Sequence, residues 1–186
     1  TPIYDNGNNF FQNGFSQQHN ISIDAGKENL TYRFSAGYLK TEGVVPNTNY
    51  EKINLGLNAS AKITPQINMV SSWTYSMSTN NKSSKGPGGY YTNLITWPVD
   101  DDVRLYVNAD GSRRLLRKGK DLTYASEFDN PFWDINKNTQ VDKTDHLLGT
   151  VALNYDPAKW LNINGIIGIE HFTTDGNQFV HPQSKT

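Results

Sequence analysis

The chain has 186 residues, a net charge of −1 and no cysteine. Near-neutral charge excludes the basic surface that nucleic-acid-binding proteins carry, and the lack of cysteine excludes a thiolate metal site or a disulfide scaffold. Hydrophobic residues make up 35% of the chain and aromatic residues 12%. Disordered segments have few aromatics, so this mixture favours strands with polar faces. The sequence has no run of about 18 apolar residues and offers no transmembrane helix.

Six segments alternate polar and apolar residues with a period of two, as strands with two chemically different faces do. The third segment is the clearest, because Ile53, Leu55 and Leu57 alternate with Asn54 and Gly56. We predict strands at residues 18–26, 30–40, 51–63, 67–79, 143–154 and 160–173. No segment shows a helical period, so no helix is predicted.

The connections between these strands alternate in length. Tight turns are predicted at 27–29, 64–66 and 155–159, and long connections at 41–50 and 80–142. In an antiparallel up-and-down meander, alternate connections lie at the same end of the sheet. Short turns at one end and long loops at the other are typical of outer-membrane barrels, whose long loops are extracellular. The sequence therefore predicts an all-β meander with an extracellular loop over residues 80–142.

The alternative to a membrane barrel is a soluble antiparallel sandwich, which shows the same alternation. The predicted strands are about 9–14 residues long, whereas strands of soluble proteins average about 5–6 and tilted membrane strands need about 9–11. Their polar face is built from Asn, Ser, Thr and Gly, and aromatics such as Tyr38 and Trp160 gather near strand ends, as in interfacial girdles. These features favour a wall segment in contact with outer-membrane lipid. Six strands cannot close a wide barrel, so the remaining wall must come from elsewhere.

Two stretches resemble a known family. The first covers residues 13–69 and includes QQHNISIDAGKENLTYRFSAGYLKTEG at 17–43. The second covers residues 130–172, where NPFWDINKN at 130–138 is followed by HLLGTVALNYDPAKWLNINGIIGIEHF at 146–172. Both are similar to the SusC/RagA-like TonB-dependent outer-membrane transporters. In that family such phrases belong to strands of the barrel.

The resemblance implies a barrel of about 22 strands with an N-terminal plug. It also implies a SusD-like surface lipoprotein as partner, TonB as the source of energy, and oligosaccharides or peptides as substrates. The sequence shows no plug, TonB box or signal sequence. Energised import is therefore expected of a parent protein in the outer membrane of a Gram-negative bacterium, through its own barrel, plug and TonB contact.

The chemical motifs are weak. Asp134, Asn136, Asn138, Asp142 and Asp145 have the spacing of a calcium loop. Position 6 of that loop is Thr139 instead of Gly and position 12 is Asp instead of the bidentate Glu. A polar loop that satisfies its own turns is the preferred interpretation.

Residues 100–102 and Asp110 supply carboxylates, but nothing in the spacing fixes the separation that glycoside hydrolysis requires. No histidine pair has ligand spacing. We therefore expect no catalytic residue, no cofactor and no metal, and a protein that is not an enzyme.

The connection 80–142 is the main functional candidate, because loops of that length are usually functional or disordered and its aromatics argue against disorder. Candidate contacts with substrate or partner are Trp97, Trp133, Tyr90 and Tyr91. The alternative for the tryptophans is packing of the loop onto the barrel.

Three functions remain open from the sequence. The first is a wall segment of a SusC-like importer. The second is a passive porin or structural barrel, which the lack of a plug in the parent gene would favour. The third is a soluble carbohydrate-binding β-module, which a detergent-free, glycan-binding monomer would favour.

Overall fold

A computed structural model describes residues 2–83, 88–117, 123 and 127–185. The elements of this described part are α1 (Asn6–Phe10), β1 (Phe15–Lys27), β2 (Leu30–Glu42), β3 (Asn49–Thr64), β4 (Ile67–Lys82), α2 (Tyr90–Thr96), α3 (Pro131–Lys137), β5 (Thr139–Ala158) and β6 (Leu161–Phe179). The six strands form one antiparallel sheet in sequence order, β1-β2-β3-β4-β5-β6. The predicted all-β meander is confirmed.

The connections alternate as the sequence predicts. Two-residue turns at 28–29, 65–66 and 159–160 close one end of the sheet. The longer connections, 43–48 and 83–138, lie at the other end together with the segments that precede β1 and follow β6. Residues 84–87, 118–122 and 124–126 of the predicted long loop lie outside the described residues.

The strands extend beyond the alternating segments. β5 begins at Thr139 and β6 ends at Phe179, and these two residues pair with each other. Near this end both faces of the hairpin carry polar residues, so the hydrophobic alternation stops while the backbone ladder continues. Pairs such as Gln140 with Gln178 show this continuation.

One face of the sheet, the apolar face, carries large hydrophobic side chains that nothing in the described part of the chain covers. Its central residues Ile53, Leu55 and Leu57 are 38%, 38% and 46% exposed. The buried hydrophobic residues of the structure lie outside the strands altogether. A wide apolar face without a second layer is what a membrane-spanning sheet presents to lipid.

The opposite, polar face is rich in amide and hydroxyl groups on β1 to β4. Ser72 donates a hydrogen bond to Asn58 over 2.8 Å, and Arg33 forms a 2.7 Å ion pair with Asp24. Hydroxyl and amide groups, together with paired charges, suit the water-filled interior of a barrel. The two faces therefore define an outside in lipid and an inside in water.

A close contact on the apolar face explains one glycine. The ring of Trp73 on β4 lies over Gly149 on β5, where an added Cβ would stand only 2.2 Å from Trp73 Cζ3. The indole Nε1 donates to Ser71 Oγ over 2.7 Å. Any larger residue at 149 would displace the indole.

The three helices correct the sequence-based expectation of none. They contain five to seven residues each, which is less than two turns and too short to display a hydrophobic period. None of the helices in the described ranges is long and apolar enough to cross a membrane.

The two faces predict different responses to a charge. Replacing Leu55 by Lys in the full-length protein places an ammonium group in hydrocarbon and should lower the free energy of unfolding by about 2–4 kcal/mol. The matched variant Asn54→Lys, one residue away on the polar face, should leave it nearly unchanged. Denaturant unfolding in lipid vesicles measures both, and equal losses would show that the apolar face does not contact lipid.

Candidate functional site

Four parts of the chain form a compact cap at the long-connection end of the sheet. The cap comprises residues 2–14, 43–48, 180–185 and the described part of 83–138. It contains the hydrophobic core of the structure, namely Phe10, Val45, Tyr90, Leu94, Val103 and Ile135 with Trp97 and Phe132 packed against it. Phe10 lies at the centre, since its ring stacks on Tyr90 at 5.6 Å and meets the edge of Phe132 at 5.0 Å. The cap is thus a folded unit with a core that the sheet lacks.

Buried amides join the separate parts of the cap. Asn6 donates through Nδ2 to the carbonyls of Pro98 and Asp101, and its Oδ1 accepts from Val103 N–H. Asn130 donates to the carbonyl of Val103 over 2.8 Å. Each of these two asparagine side chains hydrogen-bonds to backbone groups far away in the sequence. They therefore fix the path of the long connection where it has no helix or strand.

Two local sequence signals mark the start of α3, the helix at the end of the long connection. Asn130 caps α3 by accepting the Phe132 N–H over 2.7 Å, and Pro131 occupies the first turn. A capping Asn followed by Pro is a strong helix-start pattern. The segment NPFWDINKN is thereby a short helix that leads directly into β5.

A fully buried ion pair holds the connection to the segment after β6. Arg113 Nη1 lies 2.6 Å from Asp129 Oδ1, and both side chains are 0% exposed. Arg113 also donates to the carbonyls of Glu127, Phe128 and Gln183. The Lys185 N–H donates to Asp129. A buried pair of this kind needs such additional bonds to offset its desolvation.

Trp133 and Tyr90, two of the four candidate contacts with substrate or partner, are part of this packing. Trp133 is 0% exposed, and its Nε1 donates to Ser184 Oγ over 2.9 Å. The edge of the His181 ring meets the Trp133 ring at 5.0 Å. Tyr90 is 7% exposed in the core. Neither ring has a face open to a ligand.

Asp134 is a buried carboxyl group in the same region. It is 1% exposed, Oδ1 accepts from Asn138 Nδ2 over 2.7 Å, and Oδ2 is buried with no hydrogen-bond partner. Desolvation by burial raises the pKa of Asp134 above 3.8, opposed by the Asn138 hydrogen bond and reinforced by the nearby charge of Asp129. The cap therefore favours the protonated form of this residue.

The five residues with calcium-loop spacing are not brought together in the structure. Asp134 and Asn136 lie on α3 and Asn138 caps it, whereas Asp142 and Asp145 lie on β5. Asp142 forms an ion pair with Lys82 on one face of the sheet, and Asp145 accepts the Tyr75 hydroxyl on the other. A helix followed by a strand cannot wrap oxygen ligands around one ion. Within the described ranges, no group of three or more acidic or histidine side chains is placed to hold a metal.

The aspartates at 101, 102 and 110 have structural partners. Asp101 accepts two hydrogen bonds from Arg114, at 2.9 and 2.5 Å. The Arg104 side chain lowers the pKa of Asp102 by hydrogen bonding to it. Asp110 accepts from Ser112 in the turn formed by Gly111, whose φ of 81° is the left-handed conformation that glycine favours.

Trp97 and Tyr91 are the two candidates that remain accessible. Trp97 is half-buried, with its Nε1 bonded to Asp101 Oδ2 at 3.2 Å, and it lines a cleft of about 520 Å³. Asp100 and Phe128 are among the other lining residues. Tyr91 is 55% exposed on the outer side of α2. The cap thus offers a cleft lined in part by Trp97 and Phe128, and an exposed tyrosine on α2.

The architecture as a whole defines a class: a segment of a transmembrane β-barrel wall with a folded cap at one rim. No protein-family model matches the chain. The chain is 26% identical over 165 residues to the TonB-dependent receptor P26 of Formosa agariphila. The aligned residues make up 88% of this chain and 16% of that receptor.

Solved structures have the same fold. The RagAB peptide importer in its closed-closed state matches 95% of this chain with a TM-score of 0.72 and 15% identity, and in its open-open state 95% with a TM-score of 0.72. This chain spans only 20% and 19% of those two structures. The comparisons confirm the resemblance to SusC/RagA-like TonB-dependent outer-membrane transporters, and the six strands with their cap are a barrel segment of that fold.

The buried ion pair gives a test of how the cap is held. Arg113→Met leaves the Asp129 carboxylate buried without its cation and should destabilise the cap by about 3–5 kcal/mol. Arg104→Met removes the exposed partner of Asp102 and should cost only a small fraction of that, because solvent screens the pair. Native-state hydrogen exchange of α3 in the full-length protein measures both, and similar losses of protection would contradict the structural role of Arg113.

Two carboxyl groups of the cap should respond to pH in opposite ways. The folded pKa of Asp134 is raised, so its contribution is present below the unfolded pKa near 3.8 and is lost as pH rises through the folded value. The folded pKa of Asp102 is lowered, so its contribution is present above 3.8 and is lost as pH falls. The Asp134→Asn variant should therefore lose the destabilisation of the cap that appears as pH rises. The Asp102→Asn variant should lose part of the destabilisation that appears as pH falls. Hydrogen exchange of the cap, followed as a function of pH, measures both effects. An unchanged pH profile in Asp134→Asn would rule out the buried carboxyl as its source.

Proposed function

We propose that the chain is the wall and rim of a TonB-dependent importer in the outer membrane of a Gram-negative bacterium, and that it takes up oligosaccharides or peptides. The observation that carries the proposal is the combination of a two-faced spanning sheet with a folded cap. Long strands alone would suit a passive porin. The likeness of wall and cap together to the RagAB peptide importer, over 95% of the chain, supports an importer.

The cap is the region proposed to meet substrate and a SusD-like lipoprotein. The cleft beside Trp97 supports substrate contact, because half-exposed rings next to carboxylate and arginine side chains can stack on a ligand and hydrogen-bond its edge. The exposed side of α2, which carries Tyr91, supports contact with a protein partner. TonB and the rest of the barrel and plug would act through the parent protein.

Uptake by cells that carry the full-length protein tests this function. We expect uptake of an oligosaccharide or peptide mixture to disappear when the parent gene or the TonB gene is deleted. Uptake that persists without TonB but not without the parent gene would identify a passive porin instead. A lipoprotein that co-purifies with the importer would support the proposed partner.

The cleft itself has a matched control. Trp97→Ala should weaken substrate binding roughly tenfold, which corresponds to about 1.4 kcal/mol, at an unchanged amount of protein in the membrane. Trp160→Ala, at the short-turn end and 83% exposed, should leave binding unchanged. Equal affinities of the two variants would exclude Trp97 from the substrate site.

A further inference from the structure

One wall of the cleft in the cap is a turn that other parts of the cap hold in place. The Asp101 N–H donates to the carbonyl of Pro98 over 3.2 Å and closes the turn. The buried side chain of Asn6 donates to the carbonyls of Pro98 and Asp101, at 3.1 and 3.0 Å. Asp100 lies within this turn and lines the cleft. Its backbone is therefore fixed before any ligand arrives.

Two of the three carboxylates that line the cleft already have partners within the cap. Asp101 accepts two hydrogen bonds from the Arg114 guanidinium, at 2.9 and 2.5 Å. Glu127 accepts the N–H groups of Leu116 and Arg117, at 2.5 and 3.3 Å. The Arg117 Nε also lies 3.7 Å from a Glu127 carboxylate oxygen. An arginine therefore offsets the charge of each of these two carboxylates.

The third carboxylate, Asp100, is not used in this way. Its side chain is exposed, and within the described part of the chain it has no hydrogen-bond or ion-pair partner. Because the other two carboxylates are offset by arginines, Asp100 leaves one net negative charge on the cleft. A negative charge held on a fixed turn attracts a cation.

Aromatic rings next to this carboxylate favour the same kind of ligand. Trp97 and Phe128 line the cleft together with Asp100. The face of an aromatic ring attracts a cation, and tryptophan does so most strongly. The cap contains one such contact already, since the Lys185 ammonium lies 4.4 Å from the centre of the Phe128 ring. Lys185 is not among the residues that line the cleft.

We infer that this cleft binds a cationic group of the solute, an ammonium or a guanidinium, against the Asp100 carboxylate and the Trp97 indole. The inference rests on the proposed function and specifies the chemistry of its substrate site. A peptide that contains lysine or arginine carries such a group, and so does an oligosaccharide of amino sugars with free amines. The positive charge is what these solutes share, and a neutral solute of the same size lacks it.

The preference for a cation should be modest and sensitive to salt. A surface ion pair and an exposed cation–π contact are each weak, so together they should favour the cation by roughly tenfold in affinity. Asp100 faces solvent, and the screening length falls from about 10 Å at 0.1 M to about 3 Å at 1 M ionic strength. Most of the preference should therefore disappear at the higher salt concentration.

Acetylation of amines provides matched probes, because it removes the charge and keeps the rest of the solute. One pair is a short lysine peptide with a blocked N-terminus and the same peptide acetylated on its lysines. The other pair is a chitosan oligomer and a chitin oligomer of equal length. Calorimetry on the purified full-length protein at about 0.1 M ionic strength should show roughly tenfold tighter binding of the charged member in at least one pair. The pair that shows it identifies the source of the cation. Equal affinities within both pairs, no measurable binding, or tighter binding of the acetylated members would overturn the inference.

Variants of Asp100 locate the cation. Asp100→Asn should lower the preference to about threefold or less without weakening the binding of the acetylated probe. Asp100→Glu keeps the charge and should retain most of the preference. The control Asp110→Asn alters a carboxylate that accepts from Ser112 in another turn of the cap, away from the cleft, and should leave the preference unchanged. A preference that survives in Asp100→Asn, or that falls equally in Asp110→Asn, would contradict the inference.

Uptake and binding separate this inference from the proposed function. A charge preference that depends on Asp100, together with uptake that does not require TonB, would refute the proposed function and leave the cation site standing. TonB-dependent uptake without a charge preference in binding would refute the cation site alone.

Discussion

The constraint on which the structure depends is that a backbone in hydrocarbon must satisfy every N–H and C=O within the protein. Strands meet it only by pairing along their full spanning length. The sheet does so from Phe15↔Glu42 on β1 and β2 to Thr139↔Phe179 on β5 and β6, with register shifts at 62–64 and 155–158 near two of the short turns. The outward edges of β1 and β6 are left for neighbouring strands. The same constraint fixes the short turns, because a two-residue connection keeps adjacent strands paired to their ends.

The cap solves a different problem, since it folds in water. Its core is small, and much of its order comes from buried polar groups that bond distant backbone atoms. Asn6, Asn130 and the Arg113–Asp129 pair each join segments that are far apart in sequence. Buried polar groups specify one arrangement, because most alternatives would leave them unsatisfied. The described part of the long connection, which contains the two short helices α2 and α3, is held in one arrangement in this way.

Wall, cap and inner face together suggest a division of labour across the segment. The apolar face meets lipid, and the cap holds an aromatic cleft at the rim. The inner face carries amides and hydroxyls on one half and aliphatic side chains on the other.

The sequence by itself determined the wall. A period of two is a local property, so Ile53, Leu55 and Leu57 already reveal their shared face, and alternating connection lengths reveal the meander. The motifs around His19 and Trp133 carried the family resemblance. The sequence could not separate the roles of the aromatic residues within the long connection. Trp133 is fully buried, Trp97 lines a cleft and Tyr91 is exposed, and no local sequence pattern distinguishes them.

Only the tertiary structure decided those roles, and it also dispersed the oxygen ligands that looked like a calcium loop over a helix and a strand. It likewise placed Val70, Ala152 and Ile166 in one row across β4, β5 and β6, because that row exists only once the register of the three strands is known. Burial and cross-strand neighbourhood depend on contacts between residues far apart in the chain. Local periodicity contains no information about them.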